Sequence, residues 1–140
     1  MSRSSEIFKE ILKDNHLSIT TQRLLVYKLL CQNQPMSMNE LIKKSINKID
    51  RVSVYRIIDT FVKTGIVQKV NLGWKYKIEL SDKFQDHHHH LICLICNKTI
   101  PLRNNSLESY LNQIGLEANF QIQNHQIEIQ GECQNCQTVH

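Results

Sequence analysis

Apolar residues recur at helical spacing through the first part of the chain and then change to alternation. Ile7, Phe8, Ile11 and Leu12 make a short helical stripe. Thr20 or Thr21 is placed to cap a second helix carrying Leu24, Leu25, Tyr27, Leu29 and Leu30. Pro35 interrupts the pattern. Ser37 and Glu40 then form a Ser-x-x-Glu capping box ahead of Leu41 and Ile42, which starts a third helix running to about Ile46. A fourth helix is predicted from about Val52 through Lys63, with Val54, Ile57, Ile58, Phe61 and Val62 on its apolar face and Gly65 as its stop. Val67 and Val70 precede an Asn-Leu-Gly turn. Trp74, Tyr76 and Ile78 then alternate with Lys75, Lys77 and Glu79, the pattern of a two-stranded hairpin. Short helices followed by a hairpin make a winged helix-turn-helix, whose last helix enters the major groove of DNA.

The polar run Ser81 to Asp86 reads as a hinge. Strands are predicted at His88–Ile92 and Lys98–Leu102. Asn104 or Asn105 caps a helix carrying Leu107, Tyr110, Leu111 and Ile114, with Gly115 as its stop. Phe120–Ile122 and Gln126–Gln130 follow as two more strands. The expected organisation is α+β: a winged-helix DNA-binding domain over 1–80, a hinge at 81–86, and a small α/β metal-binding dimerisation domain over 87–140. About 55 residues is too few for a large core, so metal or a partner chain is expected to stabilise the second domain.

Charge divides the chain in the same place. The net charge is +4, yet residues 1–80 hold 14 Lys/Arg against 7 Asp/Glu, and residues 81–140 hold 3 against 6. A basic first module suits a polyanion such as nucleic acid. The charged start offers no signal-peptide core, and no run is long enough to span a bilayer. The expectation is a cytoplasmic protein with no membrane partner. In that reducing compartment paired cysteines hold metal rather than form disulfides.

Four of the five cysteines form two Cys-x-x-Cys pairs, Cys93/Cys96 and Cys133/Cys136, separated by 36 residues. Two such knuckles are the pattern of a structural Zn2+ site. A redox role would need a pair exposed at a helix N-terminus in a thioredoxin-like unit, and neither pair looks so placed. Cys31, alone in a helical pattern, is expected to be a small buried residue. The run His87-His88-His89-His90 abuts the first pair. On a strand its side chains alternate, so His87 and His89 face one way and His88 and His90 the other. His87, His89, Glu108 and His125 together would offer three imidazoles and a carboxylate, a set that suits zinc and, less exclusively, ferrous iron or manganese. On the fourth helix Arg51, Ser53, Tyr55, Arg56, Asp59 and Thr60 form a polar face. Arg23, Arg51, Ser53, Tyr55, Arg56 and Lys75 are the residues expected to face DNA, with Lys69 and Lys77 near phosphates.

These motifs resemble the ferric uptake regulator family of metal-dependent repressors over nearly the whole chain. VSVYRIIDTFVKTGIV (Val52 to Val67) is similar to the family's recognition helix. HHHHLICLICNKTI is similar to its hinge and structural-zinc signature, and SLESYLNQIGL, Asn124–His125 and the closing CQNC fall in register. The resemblance implies a homodimer that binds palindromic, A/T-rich double-stranded operator DNA when metal is bound. It implies no catalytic residues and no small-molecule substrate. It matches Cys93, Cys96, Cys133 and Cys136 to the structural zinc ligands. His87, Glu108 and His125 match a further metal site, with His89 where Asp is frequent. Tyr55 and Arg56 match residues that reach the bases. Glu79, His88 and His90 match a second, hinge metal site. That set lacks a His from the segment where Gln34, Pro35 and Met36 stand, and an acidic residue where Pro101 stands, leaving water or a rearranged His16 to complete it. The four histidines, His in place of Asp and the compact ending are closest to the zinc uptake regulator branch. Zn2+ is therefore the expected regulatory metal, with Fe2+ next and Mn2+ after it. Two alternatives remain: a zinc-stabilised DNA-binding protein without sensing, and a zinc hydrolase or deaminase. The latter lacks the Pro-Cys-x-x-Cys and paired His-x-Glu it needs.

Overall fold

The computed structural model describes residues 2–32 and 35–137; Gln34, in the segment before the third helix where the expected second metal site lacks a His, lies outside them. The chain divides into two compact units, Met1–Asp86 and His87–His140. In the first, α1 (Arg3–Asp14), α2 (Thr21–Gln32), α3 (Met38–Lys44) and α4 (Arg51–Lys63) precede a hairpin of β1 (Val67–Leu72) and β2 (Lys75–Leu80). Capping fixes the helix starts. The Thr20 hydroxyl accepts from the Arg23 amide (3.1 Å), Ser37 from Glu40 (3.1 Å), and the Asp50 carboxylate from Ser53 (3.1 Å). Gly65, at φ 78°, closes α4 in a Schellman motif: Ile66 N–H donates to Phe61 O (2.8 Å) and Gly65 N–H to Val62 O (3.2 Å).

The core of this unit joins the apolar faces of the four helices to Ile66, Val67, Ile78 and Leu80 at the hairpin. Phe8 stacks on Tyr27 with centroids 4.3 Å apart and meets Phe61 edge-on at 5.6 Å. Burial pushes the Tyr27 phenol up to about 12, and its oxygen lies 2.5 Å from the Ser4 hydroxyl. Residues 81–86 belong with this unit. Ser81 donates to Gly65 O (2.6 Å), and Phe84 packs beside Tyr27.

The wing differs from the expected hairpin in its turn. Leu72 pairs with Lys75, so the two-residue turn is Gly73–Trp74 and not Asn-Leu-Gly. Gly73 alone of the two has positive φ (75°), as a type II′ hairpin requires. Trp74 therefore leaves the strand and stands 88% exposed at the tip. Met36 bridges Ile78 and ties the segment before α3 to the wing. Cys31 is exposed, not buried. The inward face of α2 is Val26, Tyr27 and Leu30, and the next residue turns past it.

In the second unit β3 (His89–Cys93) is the central strand. It is antiparallel to β4 (Thr99–Leu102) and parallel to β5 (Glu128–Gly131), and α5 (Asn105–Glu117) and the turn α6 (Gln134–Gln137) complete the unit. Asn104 caps α5 through Leu107 N–H (2.9 Å). Gly115 does not stop α5. The left-handed residue is Asn119 (φ 51°), with Phe120 N–H donating to Gly115 O (2.8 Å) and Asn119 N–H to Leu116 O (3.1 Å). That closure uses the Phe120 amide, and the expected strand Phe120–Ile122 does not form. The last strand, expected over Gln126–Gln130, runs instead over Glu128–Gly131. Among the described residues no helix is long and apolar enough to cross a membrane.

Candidate metal centres and nucleic-acid interface

The two cysteine knuckles meet at the same end of the parallel pair β3 and β5. Cys93 ends β3, Cys96 lies in the turn after it, Cys133 directly precedes α6, which follows β5, and Cys136 lies within α6. Their four sulfurs lie within 4.8 Å of one another, with Cys96 Sγ 3.8 Å from Cys133 Sγ. Sulfurs bound at about 2.3 Å to one tetrahedral zinc sit about 3.8 Å apart, so the donors fit zinc. Backbone N–H groups of Cys96 and Cys133 point at Cys93 and hold its thiol down at about 6. The Cys136 amide lowers Cys133 in the same way. Cys136 is pushed up to about 12 because its thiol hydrogen-bonds to Cys133. Amides aimed at sulfur stabilise thiolate, the form that binds metal.

A second cluster joins three elements of the same unit. His87 precedes β3, His89 begins it, Glu108 lies in the first turn of α5, and His125 lies in the segment before β5. His89 Nε2 is 2.7 Å from Glu108 Oε1, and His125 Nε2 is 2.8 Å from Oε2. His87 Nε2 is 3.0 Å from His125 Nε2 and 3.4 Å from Glu108 Oε1. Nitrogen and oxygen donors on one zinc are about 3.3–3.5 Å apart, so these separations approach a common metal position. Burial acts to raise the Glu108 carboxyl. Hydrogen bonds from His89 and His125, with the fields of His125 and His87, outweigh it and hold the carboxyl below the ordinary range.

The alternation read from the histidine run is present. The His87 and His89 rings are 4.7 Å apart in one pair, and the His88 and His90 rings 4.8 Å apart in the other. His88 and His90 are buried in the second unit. Glu79, the third member of the expected hinge set, belongs to β2 of the first unit and accepts from Gln68 Nε2 (2.8 Å). Pro101 pairs with His90 on β4, and His16 is the left-handed residue (φ 58°) that closes α1.

On α4, Arg51, Val52, Tyr55, Arg56 and Asp59 are exposed along one face. Ser53 is partly spent: its hydroxyl donates to Asp50 Oδ1 (2.6 Å), which ties it to the helix cap. Arg23 reaches back to Ser18 O (2.7 Å) from α2. Burial first, and then the fields of Tyr55 and Asp59 on α4, push the Tyr76 phenol of the wing up, as expected where helix and wing share a face. Lys69 lies over the Tyr76 ring (4.6 Å) and Lys75 over Trp74 (4.7 Å). Sequence reasoning assigned no DNA contact to two exposed apolar side chains here. They are Val52, 57% exposed at the start of α4, and Trp74 at the wing tip. The Gly before Trp74 was the available signal for the turn.

A winged helix with a cationic face, followed by a unit built round two metal-type donor clusters, defines a DNA-binding regulator that carries metal. The model of the ferric uptake regulator family matches residues 14–130. Ferric uptake regulation protein of Vibrio cholerae is 35% identical over 130 residues, covering 89% of this chain and 85% of that one. Its Yersinia pestis counterpart is 36% identical over 134 residues, covering 89% and 88%. The crystal structure of the Vibrio cholerae ferric uptake regulator superposes with a TM-score of 0.76 at 33% identity, over 89% of this chain and 98% of that chain. The chain therefore belongs to the ferric uptake regulator family of metal-responsive, DNA-binding transcription regulators. It is not an enzyme.

Proposed function

We propose that this chain represses transcription as a homodimer, binding a palindromic operator when a divalent metal fills the cluster of His87, His89, Glu108 and His125. The observation that carries the proposal is the convergence of these side chains, from three elements, in a cluster whose donors are all distinct from the four cysteines. A protein needing zinc only to fold has no use for a second set. Zinc is the first expectation for a set rich in imidazole, with ferrous iron next and manganese after it. The cysteine site would hold the structural zinc.

The metal would act by tying α5 and the segment before β5 to the start of β3. His87 follows directly on residues 81–86, which belong with the winged-helix unit. Holding its ring narrows the arrangements open to the chain at that junction. This is a population shift toward the form that binds DNA. On DNA, Arg56 and Tyr55 would read bases from α4, Val52 would contact a thymine methyl, and Lys69, Lys75 and Lys77 would neutralise phosphates. Dimerisation is supported by a row of apolar side chains across one face of the second sheet. Leu91 pairs with Ile100 on one side and Ile129 on the other, and Ile100 and Ile129 are exposed.

Elemental analysis of zinc per chain tests the proposal. After mild chelation one zinc per chain should remain, and added zinc should raise the content reversibly. Glu108→Gln should keep the tight zinc and lose the exchangeable one. A content that never rises above one would leave a zinc-stabilised DNA-binding protein without a sensor.

A further inference from the structure

His89 is one of the four clustered donors, and its imidazole looks like a third nitrogen ligand beside His87 and His125. Its hydrogen bonds argue otherwise. The ring is 1% exposed, and both nitrogens are engaged. Ile127 N–H donates to Nδ1 at 3.1 Å, so Nδ1 is an acceptor and carries no proton. Ile127 is held through its following peptide as well, because the Ile127 oxygen accepts from His90 N–H (3.1 Å). It therefore cannot turn away without breaking the contact between β3 and the chain entering β5. A neutral imidazole has one proton, and with Nδ1 bare that proton is on Nε2. Nε2–H points at Glu108 Oε1, 2.7 Å away.

Metal ligation through Nε2 needs a lone pair there. The proton would have to move to Nδ1, setting two donors face to face at the Ile127 amide, or leave altogether to give an imidazolate. His125 turns its Nε2 toward both Glu108 and His87. We infer that His89 is a positioning residue, donating to Glu108 through Nε2–H, and that the regulatory metal is held by His87, Glu108 and His125 with a coordination position left for water. This rests on the metal site proposed above and refines its donor set. It also changes what His89 contributes to the choice of metal. A nitrogen that donates to Glu108 adds no ligand, so it does not tilt the site toward zinc. Two imidazoles and one carboxylate with an open position are a set that ferrous iron accepts as readily. A histidine donor that fixes a ligating carboxylate is a known way of tuning a metal site from outside it.

Long-range proton–nitrogen NMR of the full chain, recorded with the tight zinc alone and after exchangeable zinc is added, tests this directly. On loading, Nε2 of His87 and of His125 should take metal-bound shifts, while His89 Nε2 keeps its bonded proton. Loss of that proton, with a metal-bound shift at His89 Nε2, would overturn the inference. Should none of the three rings respond to zinc, the metal site itself fails, which is a different result from His89 ligating. Variants give a second reading. His89→Ala should weaken exchangeable zinc about 10–100-fold, the usual cost of removing such a partner. His89→Gln, whose amide can donate to Glu108, should recover most of that loss. Equal losses in both variants, as large as that of His87→Ala, would make His89 a ligand.

Discussion

Asp50 couples the fold to the reading face at the scale of one side chain. Its carboxylate caps α4 and also receives the Ser53 hydroxyl. These bonds, the Ser53 hydroxyl first, hold its carboxyl below the ordinary range. A depressed carboxylate contributes stability that is full above the unfolded value of about 3.8–3.9 and is lost as pH falls through the lower, folded value. Thermal unfolding of the winged-helix unit should therefore lose stability in that acidic window. Asp50→Asn keeps a capping oxygen without the titration and should flatten the dependence. An unchanged pH profile in the variant would show that Asp50 is not its source. Arg56 carries the DNA prediction at this scale. Arg56→Ala should cost about 1–3 kcal/mol on the preferred duplex and relax sequence choice, whereas Lys75→Ala should weaken all sequences alike and reduce the salt slope by about one. Binding isotherms at several salt concentrations separate the two, and identical behaviour of both variants would refute this division of roles.

Two glycines show what a helix end does and does not reveal in sequence. Gly65 and Gly115 each follow an apolar helical stripe, and both read as stops. Gly65 is one, with φ 78°. Gly115 lies inside α5 because Asn119, four residues on, adopts the left-handed turn instead. The reason for glycine at this place is space: a Cβ would come 2.8 Å from Ile122 Cδ1 and 3.1 Å from Phe120 O. Gly115→Ala should destabilise the second unit by about 1–3 kcal/mol, the usual cost of overpacking. Ile122→Ala in the same chain should recover only part of this, because the Phe120 carbonyl remains. Full recovery would place the whole clash on Ile122. The capping residues Ser37 and Asn104, the wing and the alternation of the histidines were legible, since each depends on neighbours in sequence. The hydrogen bond that fixes the His89 tautomer was not, because its partner Ile127 is 38 residues away. The strand expected at Phe120–Ile122 failed for a related reason. Its alternation was visible, but the use of the Phe120 amide in closing α5 was not.

At the scale of the molecule, two units divide the work. The first has a packed aromatic and aliphatic core. Among the described residues the second buries little besides Ile92, Cys93, Gly115 and three histidines, so under the proposed function its stability would rest on metal and on a second copy. Cys93→Ser should unfold the second unit or release the monomer, read by sedimentation, while leaving the helical signal of the first unit largely intact. A folded dimer in that variant would contradict the structural role of the cysteine site. The central claim is that exchangeable metal raises affinity for DNA. Its most direct test is the affinity of the full chain for a duplex selected with metal-loaded protein. The chain is measured at constant salt with the tight zinc alone and again with the second metal added. Trp74, the single tryptophan, sits at the wing tip and should report contact through its emission. Adding metal should raise affinity about 5–150-fold, the usual range of such coupling, and Glu108→Gln should lose that gain. Equal affinity with and without the second metal would contradict it.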